Sequence, residues 1–369
     1  MSEALEVLKA IQQADRSGRG ALATIVSVKG STYRRPGARL FVPESGHSVG
    51  NLSGGCLEGE VEGLAHTVME DEQPRLTHYD LTADDEVVWG WGLGCNGAIE
   101  VLVEPVRRAR EVARLLSEAI EHDRALVVAT SLPGSRGSGA RVAVFEDGSA
   151  WGGLGDPATD AEAVAKGLEL LGLGESRVLE IGSDRIFFEV VKPPLRLLVC
   201  GAGHDAIPLV EEAARLGWRI AVADDRSDML SWERFPGARE LVETEPAEVA
   251  GTAGVDPNTY AVVMSHNFLR DRDYLRSLAS SPAAYIGMLG PRKRLERLLD
   301  ELARAGVTLD PGRLERVHGP AGLDLGAEGP EQVALAIVAE ILSVSNGRAG
   351  GHLRDRPGPI HERATEAAP

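Results

Sequence analysis

The chain has 369 residues, of which 43% are hydrophobic, and its formal net charge at pH 7 is −17. This length predicts about two or three domains, and the negative charge argues against a nucleic-acid partner. No apolar run approaches the ~20 residues that cross a bilayer, and the N-terminal segment lacks the features of a signal peptide. The three cysteines form neither a CxxC pair nor a zinc-ligand cluster. We therefore predict a soluble, cytoplasmic protein that binds neither nucleic acid nor membrane.

Residues 1–192 have the pattern of an α+β domain. An amphipathic helix opens the region, and a second helix is predicted to begin near Cys56. Apolar runs bounded by turn signals indicate strands at 21–28, 38–43 and 98–105. Further along, a long helix precedes two predicted strands, which the glycine-rich loop LPGSRGSG joins as a pair.

The sequence KPP at 192–194 has the character of a short linker, and the pattern changes after it. From 195 to 345, apolar strand-like runs alternate with amphipathic helices, beginning with LRLLVC, HDAIPLVEEAARLG and WRIAVADD. This alternation predicts a doubly wound parallel sheet. The tail, 346–369, is rich in Gly, Pro, Arg and His and is predicted to be flexible. The expected class is therefore α/β, with the parallel sheet after an N-terminal α+β domain.

The first loop of the C-terminal domain, GAGHDA, has the spacing G-x-G-x-x-A from Gly201 to Ala206. Gly201 would permit the tight turn, and Gly203 would let a pyrophosphate approach the helix that follows. Asp224 ends the next strand, where an acid can hold a ribose diol. The sheet is therefore predicted to be Rossmann-like, with NAD or another dinucleotide as a candidate ligand. A Rossmann scaffold without any dinucleotide is the alternative.

Other side chains are predicted to face the same crevice, because ligands of open α/β sheets bind beyond the carboxyl ends of the strands. His204 lies within the glycine loop, either near the phosphates or as an ordinary surface histidine. His266 follows the strand YAVVMS, and Arg292 begins a helix after YIGMLGP. Arg292 is a candidate phosphate contact, whereas its neighbours Lys293 and Arg294 are interpreted as solvated side chains.

Two of the three cysteines lie among glycines. Cys56 follows Gly54 and Gly55, and a helix that began there would stabilise a thiolate through its dipole and free N–H groups. Cys95 lies in GLGCNG, near two tryptophans. Such thiols suit binding of a soft metal or transfer of a sulfur atom; alternatively, they fill tight corners as small hydrophobic residues. Cys200 ends a buried strand and is predicted to be a core residue.

Taken together, the motifs resemble those of the XdhC/CoxI family of accessory proteins for molybdenum hydroxylases. The N-terminal part contains GSTYRRPGARLFV, SGGCLEG and GLGCNGAIEVLVEP, and the C-terminal part contains GAGHDA, ADDR, VVMSHNF, YIGMLGPRKR and GPAGLDLGAEGPEQVALAIVAEI. The resemblance implies a protein that binds the molybdenum cofactor, a pterin dithiolene. It also implies support of cofactor sulfuration by a cysteine desulfurase and delivery to a xanthine dehydrogenase-type enzyme.

If the resemblance extends to the binding site, Cys56 and Cys95 are soft ligands or sulfur contacts for molybdenum, and Arg39 lies near the same pocket. The Rossmann-like crevice would then hold the phosphate or nucleotide end of the cofactor, and the thiol-bearing loops would cap its metal end. The expected metal ligands are the two thiols, and the expected cofactor contacts are Cys56, Cys95, Gly54, Gly55, Arg39, Gly201, Gly203, His204, Asp224, His266 and Arg292.

The residues alone leave two other functions open. One is an NAD-dependent oxidoreductase with His266 as its proton relay, and the other is an enzyme that carries sulfur on Cys56 or Cys95. The resemblance instead implies a cofactor chaperone without turnover of its own. We also expect a homodimer.

Overall fold

The computed structural model describes residues 3–14, 19–30, 32, 34–55, 57–80 and 97–357. The chain divides into two compact units between Pro193 and Pro194. Among the helices in the described ranges, none has both the length and the apolar character that crossing a bilayer requires.

The first sheet of the N-terminal unit is antiparallel throughout. Its strands are β1 (Gly20–Gly30), β2 (Arg39–Pro43), β3 (Val49–Gly50), β4 (Arg75–Asp80) and β5 (Gly97–Pro105). They pair in the order β3-β2-β1-β5-β4. The helices of this region are α1 (Glu3–Ala14) and α2 (Glu58–Asp71). In α2, Val61, Ala65 and Val68 recur at helical spacing and are buried in the core that covers β1 and β5.

The second sheet of this unit is also antiparallel. Its strands are β6 (Leu126–Ser131), β7 (Arg141–Phe145), β8 (Ala150–Gly153), β9 (Arg177–Ile181) and β10 (Asp184–Val191). Their order is β8-β7-β6-β10-β9, and α3 (Val106–Glu121) and α4 (Pro157–Leu173) accompany them. The predicted pairing across LPGSRGSG is confirmed, because β6 and β7 pair antiparallel on either side of that loop.

Ion pairs with little solvent exposure join the two sheets of the N-terminal unit. Arg141 on β7 donates to both carboxylate oxygens of Glu104 on β5, at 2.6 and 2.5 Å. Arg39 on β2 likewise pairs with Glu189 on β10, through one carboxylate oxygen. Opposite charges at these positions offset the cost of taking ions out of water, and removing one partner leaves that cost uncompensated.

This arrangement predicts that Arg141→Met lowers the free energy of unfolding by about 3–5 kcal/mol, because Glu104 stays buried without its partner. The double variant Arg141→Met/Glu104→Leu should recover part of that loss, since it buries no charge. Urea titration of the purified chain measures both values. The control is Arg114→Met, whose half-exposed pair with Glu118 should be worth under about 1 kcal/mol. Equal losses in Arg141→Met and the control would contradict the prediction.

The C-terminal unit contains the predicted doubly wound parallel sheet. Its strands are β11 (Arg196–Cys200), β12 (Arg219–Asp224), β13 (Glu240–Glu243), β14 (Thr259–Val263), β15 (Tyr285–Met288) and β16 (Val317–His318). All neighbours pair parallel, in the order β13-β12-β11-β14-β15-β16. Numbered within this unit, the order is 3-2-1-4-5-6, which is that of the Rossmann fold.

Helices cover both faces of the parallel sheet. They are α5 (Ala206–Arg215), α6 (Val249–Thr252), α7 (Phe268–Ala279), α8 (Arg292–Arg304), α9 (Pro311–Leu314) and α10 (Pro330–Ser345). On the central strand β11, Leu197 and Val199 are buried with α5 and α10, whereas Leu198 and Cys200 are buried with α7 and α8. This period-two alternation explains the continuous apolar run in the sequence. Cys200 is fully buried, which confirms its predicted place in the core.

Candidate functional site

The loops that leave β11 and β14 meet at the point where the strand order reverses. Gly201 has a φ of +112°, and a Cβ there would lie 2.7 Å from the Cα of Ser265. Glycine is therefore required at this position, both by its φ and by the close approach of the two backbones. A Cβ on Gly203 would meet the His266 ring at 3.8 Å, which is ordinary van der Waals contact. The loop is thus closely packed at its first glycine and has free space at its second.

His266 stands beside that free space in an unusual backbone conformation. Its φ is +56°, in the left-handed region that non-glycine residues rarely adopt. The residues on either side are anchored: the Ser265 hydroxyl donates to Asp271 at 2.5 Å, and the Asn267 side chain accepts the first N–H groups of α7. The imidazole Nε2 lies 3.0 Å from a carboxylate oxygen of Asp205. Backbone strain held by such anchors is commonly found at functional sites.

A pocket of about 220 Å³ opens beyond the carboxyl ends of β14 and β15. Asp271, which is almost fully buried, and Arg294 form an ion pair at its wall, with Nη2 2.6 Å from the carboxylate. The interpretation of Arg294 as a solvated side chain is therefore wrong, because the first turn of α8 places its guanidinium against Asp271. Arg292, the predicted phosphate contact, begins α8 and is exposed at the surface together with Lys293.

Asp224 is buried and holds the glycine loop from within. One of its oxygens accepts the Ala202 N–H at 2.7 Å, and the Arg226 guanidinium donates to both oxygens at 2.8 and 2.9 Å. Burial raises the pKa of Asp224, but the hydrogen bonds from Arg226 and from the Ala202 and Arg226 N–H groups outweigh burial and lower the pKa to about 2. The expected contact of Asp224 with a ribose diol stays a prediction. His204, on the same loop, is exposed.

The glycines before Cys56 belong to a loop that a carboxylate organises. Cys56 and Cys95 themselves lie outside the described residues. Gly54 and Gly55 are exposed and have φ values of +82° and +111°. Helix α2 begins at Glu58, two residues after Cys56, which confirms the prediction of a helix that begins near that cysteine.

The side chain of Glu58 folds back over the preceding residues. Its Oε1 accepts the N–H groups of Leu52 and Ser53 at 3.1 and 2.8 Å, and its Oε2 accepts those of Gly55 and Leu57 at 2.9 and 3.1 Å. The Ser53 hydroxyl donates to Oε2 as well, at 2.5 Å. Partial burial raises the pKa of Glu58, yet these donors lower it to about 2. No structural role for Glu58 was predicted from the sequence.

Arg39, the remaining predicted contact, lies in the interior of the N-terminal unit. Its guanidinium pairs with Glu189 and donates to the Gly37 carbonyl at 3.1 Å. Among the described residues, no group of three or more His, Cys, Asp or Glu side chains is arranged to hold a metal ion. The structure thus brings Gly201, Gly203 and His266 together and places Arg39 among the contacts between two sheets.

Comparisons with known proteins agree with this architecture. The family model of the XdhC and CoxI family matches residues 13–80 and 124–182, and that of the XdhC Rossmann domain matches 197–341. A protein of Bacillus subtilis, named as a probable subunit of xanthine dehydrogenase, is 30% identical over 324 residues, which are 87% of this chain and 92% of that protein. The chain belongs to the XdhC and CoxI family.

Two further relatives match nearly the whole chain. The molybdenum cofactor insertion chaperone PaoD of Escherichia coli is 21% identical over 346 residues, covering 92% of this chain and 87% of PaoD. A crystal structure described as a xanthine dehydrogenase from Bacillus halodurans superposes with a TM-score of 0.77 at 29% identity, covering 97% of this chain and 98% of the other. The fold of this family member is therefore shared along nearly its whole length.

The environment of Asp224 predicts that Asp224→Asn lowers the free energy of unfolding, by an amount that depends on pH. At pH 7 the variant should unfold with a free energy lower by about 2 kcal/mol, since the native ion pair is gone. The folded pKa lies below the unfolded one, so the stabilisation is complete above about pH 5 and falls as the pH drops. Urea titrations should show the gap to the unaltered chain narrowing by roughly 1 kcal/mol between pH 5 and pH 3.

The control for this experiment is Asp228→Asn, which removes an exposed carboxylate near Arg226. It should change the free energy of unfolding by less than about 0.5 kcal/mol at either pH. An Asp224→Asn gap that is the same at pH 5 and pH 3 would contradict the assigned role of the carboxylate.

Proposed function

We propose that the chain binds the molybdenum cofactor, supports its sulfuration and delivers it to a xanthine dehydrogenase-type molybdenum hydroxylase. Family membership supports this proposal, as do the names of its relatives, which include a cofactor insertion chaperone and a component of xanthine dehydrogenase. The molybdenum hydroxylase and a cysteine desulfurase would be its partners. In this scheme the cofactor is a cargo, and the chain does not turn it over.

The observation that carries the proposal is the crevice at the strand-order reversal. The pocket of about 220 Å³ is lined by His266, and a Cβ would fit beside this ring at Gly203, just before the ten-residue helix α5. Within the described part of the chain, the N-cap residue of that helix, Asp205, makes no side-chain capping hydrogen bond and contacts His266 instead. The first-turn N–H groups of a helix attract an anion, and the ring nitrogen of His266 that does not face Asp205 could donate to it. The crevice therefore fits a phosphate of the cofactor or of its nucleotide.

The metal end of the cargo calls for soft ligands, and sulfur is the ligand that suits molybdenum bound to a dithiolene. Cys56 and Cys95 are the candidates, because Cys200 is fully buried in the core of the C-terminal unit. Burial also raises the pKa of the Cys200 thiol, which keeps it protonated and unreactive. We propose that the other two thiols contact molybdenum or its sulfido ligand.

The alternative of an NAD-dependent oxidoreductase has less support from the same crevice. An NAD site uses the acid at the end of the second strand to bind the ribose diol. Here both oxygens of Asp224 are engaged by Arg226, and one of them also accepts the Ala202 N–H. A ribose would have to displace an ion pair from a buried carboxylate.

The proposal predicts that Cys56→Ala/Cys95→Ala loses its molybdenum. Purified from cells that make the cofactor, the double variant should retain at least about tenfold less molybdenum per chain, because losing two sulfur contacts costs more than the ~1.4 kcal/mol that a factor of ten represents. Elemental analysis of the purified protein measures this ratio. Cys200→Ala is the control and should retain molybdenum, provided its fold is intact by circular dichroism. Equal molybdenum in the double variant and the unaltered chain would refute the role of the thiols.

A further inference from the structure

We infer that Glu58 is the positioning residue of the loop that carries Cys56. This inference rests on the proposed role of that thiol in holding the cargo. Five hydrogen bonds converge on the one carboxylate, four from backbone N–H groups and one from the Ser53 hydroxyl. The N–H donors come from both sides of Cys56 in the sequence, so a single side chain holds the loop before and after it.

Glu58 is the first residue of α2, and its carboxylate binds residues that precede the helix. Leu57 occupies the N-cap position of α2, and its aliphatic side chain cannot accept a hydrogen bond. The Glu58 carboxylate instead lies over the residues before its own helix and takes up their N–H groups. An anion at this end of the helix is also favoured by the helix dipole.

The shape of the loop depends on these hydrogen bonds more than on packing. Leu52 and Leu57 are buried and anchor its two ends. Between them Gly54 and Gly55 are exposed, and a Cβ on Gly55 would meet no atom of the described residues within 4 Å. Packing therefore does not fix the positive φ of Gly55. Hydrogen bonds to Glu58, together with one from the Gly54 N–H to Asn51, hold residues 52–55.

Cys56 lies directly between two residues that bind the same oxygen. The N–H groups of Gly55 and Leu57 both donate to Oε2 of Glu58, at 2.9 and 3.1 Å. Consecutive Cα atoms are about 3.8 Å apart, so Glu58 holds the chain within one residue of the thiol position on either side. A ligand that binds a preorganised loop does not have to order it, which strengthens binding. Glu58 thereby adds to cargo affinity without touching the cargo.

The test compares Glu58→Gln with Glu60→Gln. Both variants remove one negative charge from the first turn of α2, but Glu60 is exposed, and the loop N–H groups described above converge on Glu58. A glutamine at 58 keeps one oxygen and replaces the other with an amide that donates, so it cannot accept from Gly55 and Leu57 as well as from Leu52 and Ser53. Amide hydrogen exchange should be about threefold to tenfold faster at these four residues, and unchanged within the helix at Val61 and Val68.

The second readout is molybdenum retained by chains purified from cofactor-producing cells. Glu58→Gln should retain at least about threefold less than Glu60→Gln, in proportion to the population of the ordered loop. A third variant, Glu58→Asp, keeps the charge but is one methylene shorter, so its carboxylate should not reach the loop N–H groups. We expect its amide exchange and its molybdenum retention to resemble those of Glu58→Gln. Glu58→Asp that behaves as the unaltered chain in both readouts would show that charge alone matters and would overturn the inference.

Two further results would overturn it. One is amide exchange in Glu58→Gln that is no faster than in Glu60→Gln. The other is faster exchange with molybdenum retention equal to that of Glu60→Gln, which would leave Glu58 as a purely structural residue. The proposed function is judged separately, by the molybdenum content of the unaltered chain, and the exchange measurement on Glu58 does not depend on that content.

Discussion

The close approach of Gly201 to the backbone of Ser265 determines the geometry at the strand-order reversal. Because there is no room for a side chain at Gly201, the loop after β11 and the turn after β14 pack backbone against backbone. Asp271 holds Ser265 by its hydroxyl and its N–H, and Arg294 holds Asp271 in turn. On the other side, Asp224 fixes the loop at Ala202. His266 is presented to the crevice from a backbone that is anchored on both sides.

The negative electrostatic field at these candidate sites is weaker than the chain's net charge of −17 suggests. Carboxylates around the crevice are paired within the same unit, and the pairs are Asp224 with Arg226, Asp225 with Arg270, Asp271 with Arg294, and Asp205 with His266. In the N-terminal unit, backbone N–H groups and a hydroxyl surround the Glu58 carboxylate. A phosphate or other anionic cargo therefore meets a field that internal partners have already reduced.

Much of the fold could be predicted because it follows from local patterns. Alternating strands and helices after 195 predicted the parallel sheet, and G-x-G-x-x-A placed its first loop. The strands β3, β4, β8, β13 and β16 were missed. Four of them have only two to four residues, which give too little periodicity to detect, and β4 reads RLTHYD, which contains no apolar run. That the N-terminal region forms two antiparallel sheets depends on pairings far apart in sequence, which single segments do not reveal.

The site was less predictable, because it depends on where individual side chains point. Arg292 and Arg294 lie two residues apart on one helix, and only the packing of α8 directs Arg294 and not Arg292 to the buried Asp271. Glu58 had a usable signal, an acid two residues after a Gly-Gly-Cys loop that lacks a capping Ser, Thr, Asn or Asp at position 57. The position of Asp224 was evident from the motif, but its partnership with Arg226 needed the structure.

If this family member loads a molybdenum hydroxylase with active cofactor, its presence must raise the fraction of hydroxylase molecules that are active, and not only the amount of hydroxylase produced. The most direct measurement is the activity of a xanthine dehydrogenase-type hydroxylase per molybdenum atom bound, after production in cells with and without the chain. We expect a several-fold higher activity per molybdenum when the chain is present, because cofactor that has not been sulfurated still contributes metal but no turnover. The same activity per molybdenum in both preparations, at equal enzyme yield, would contradict the proposed loading role.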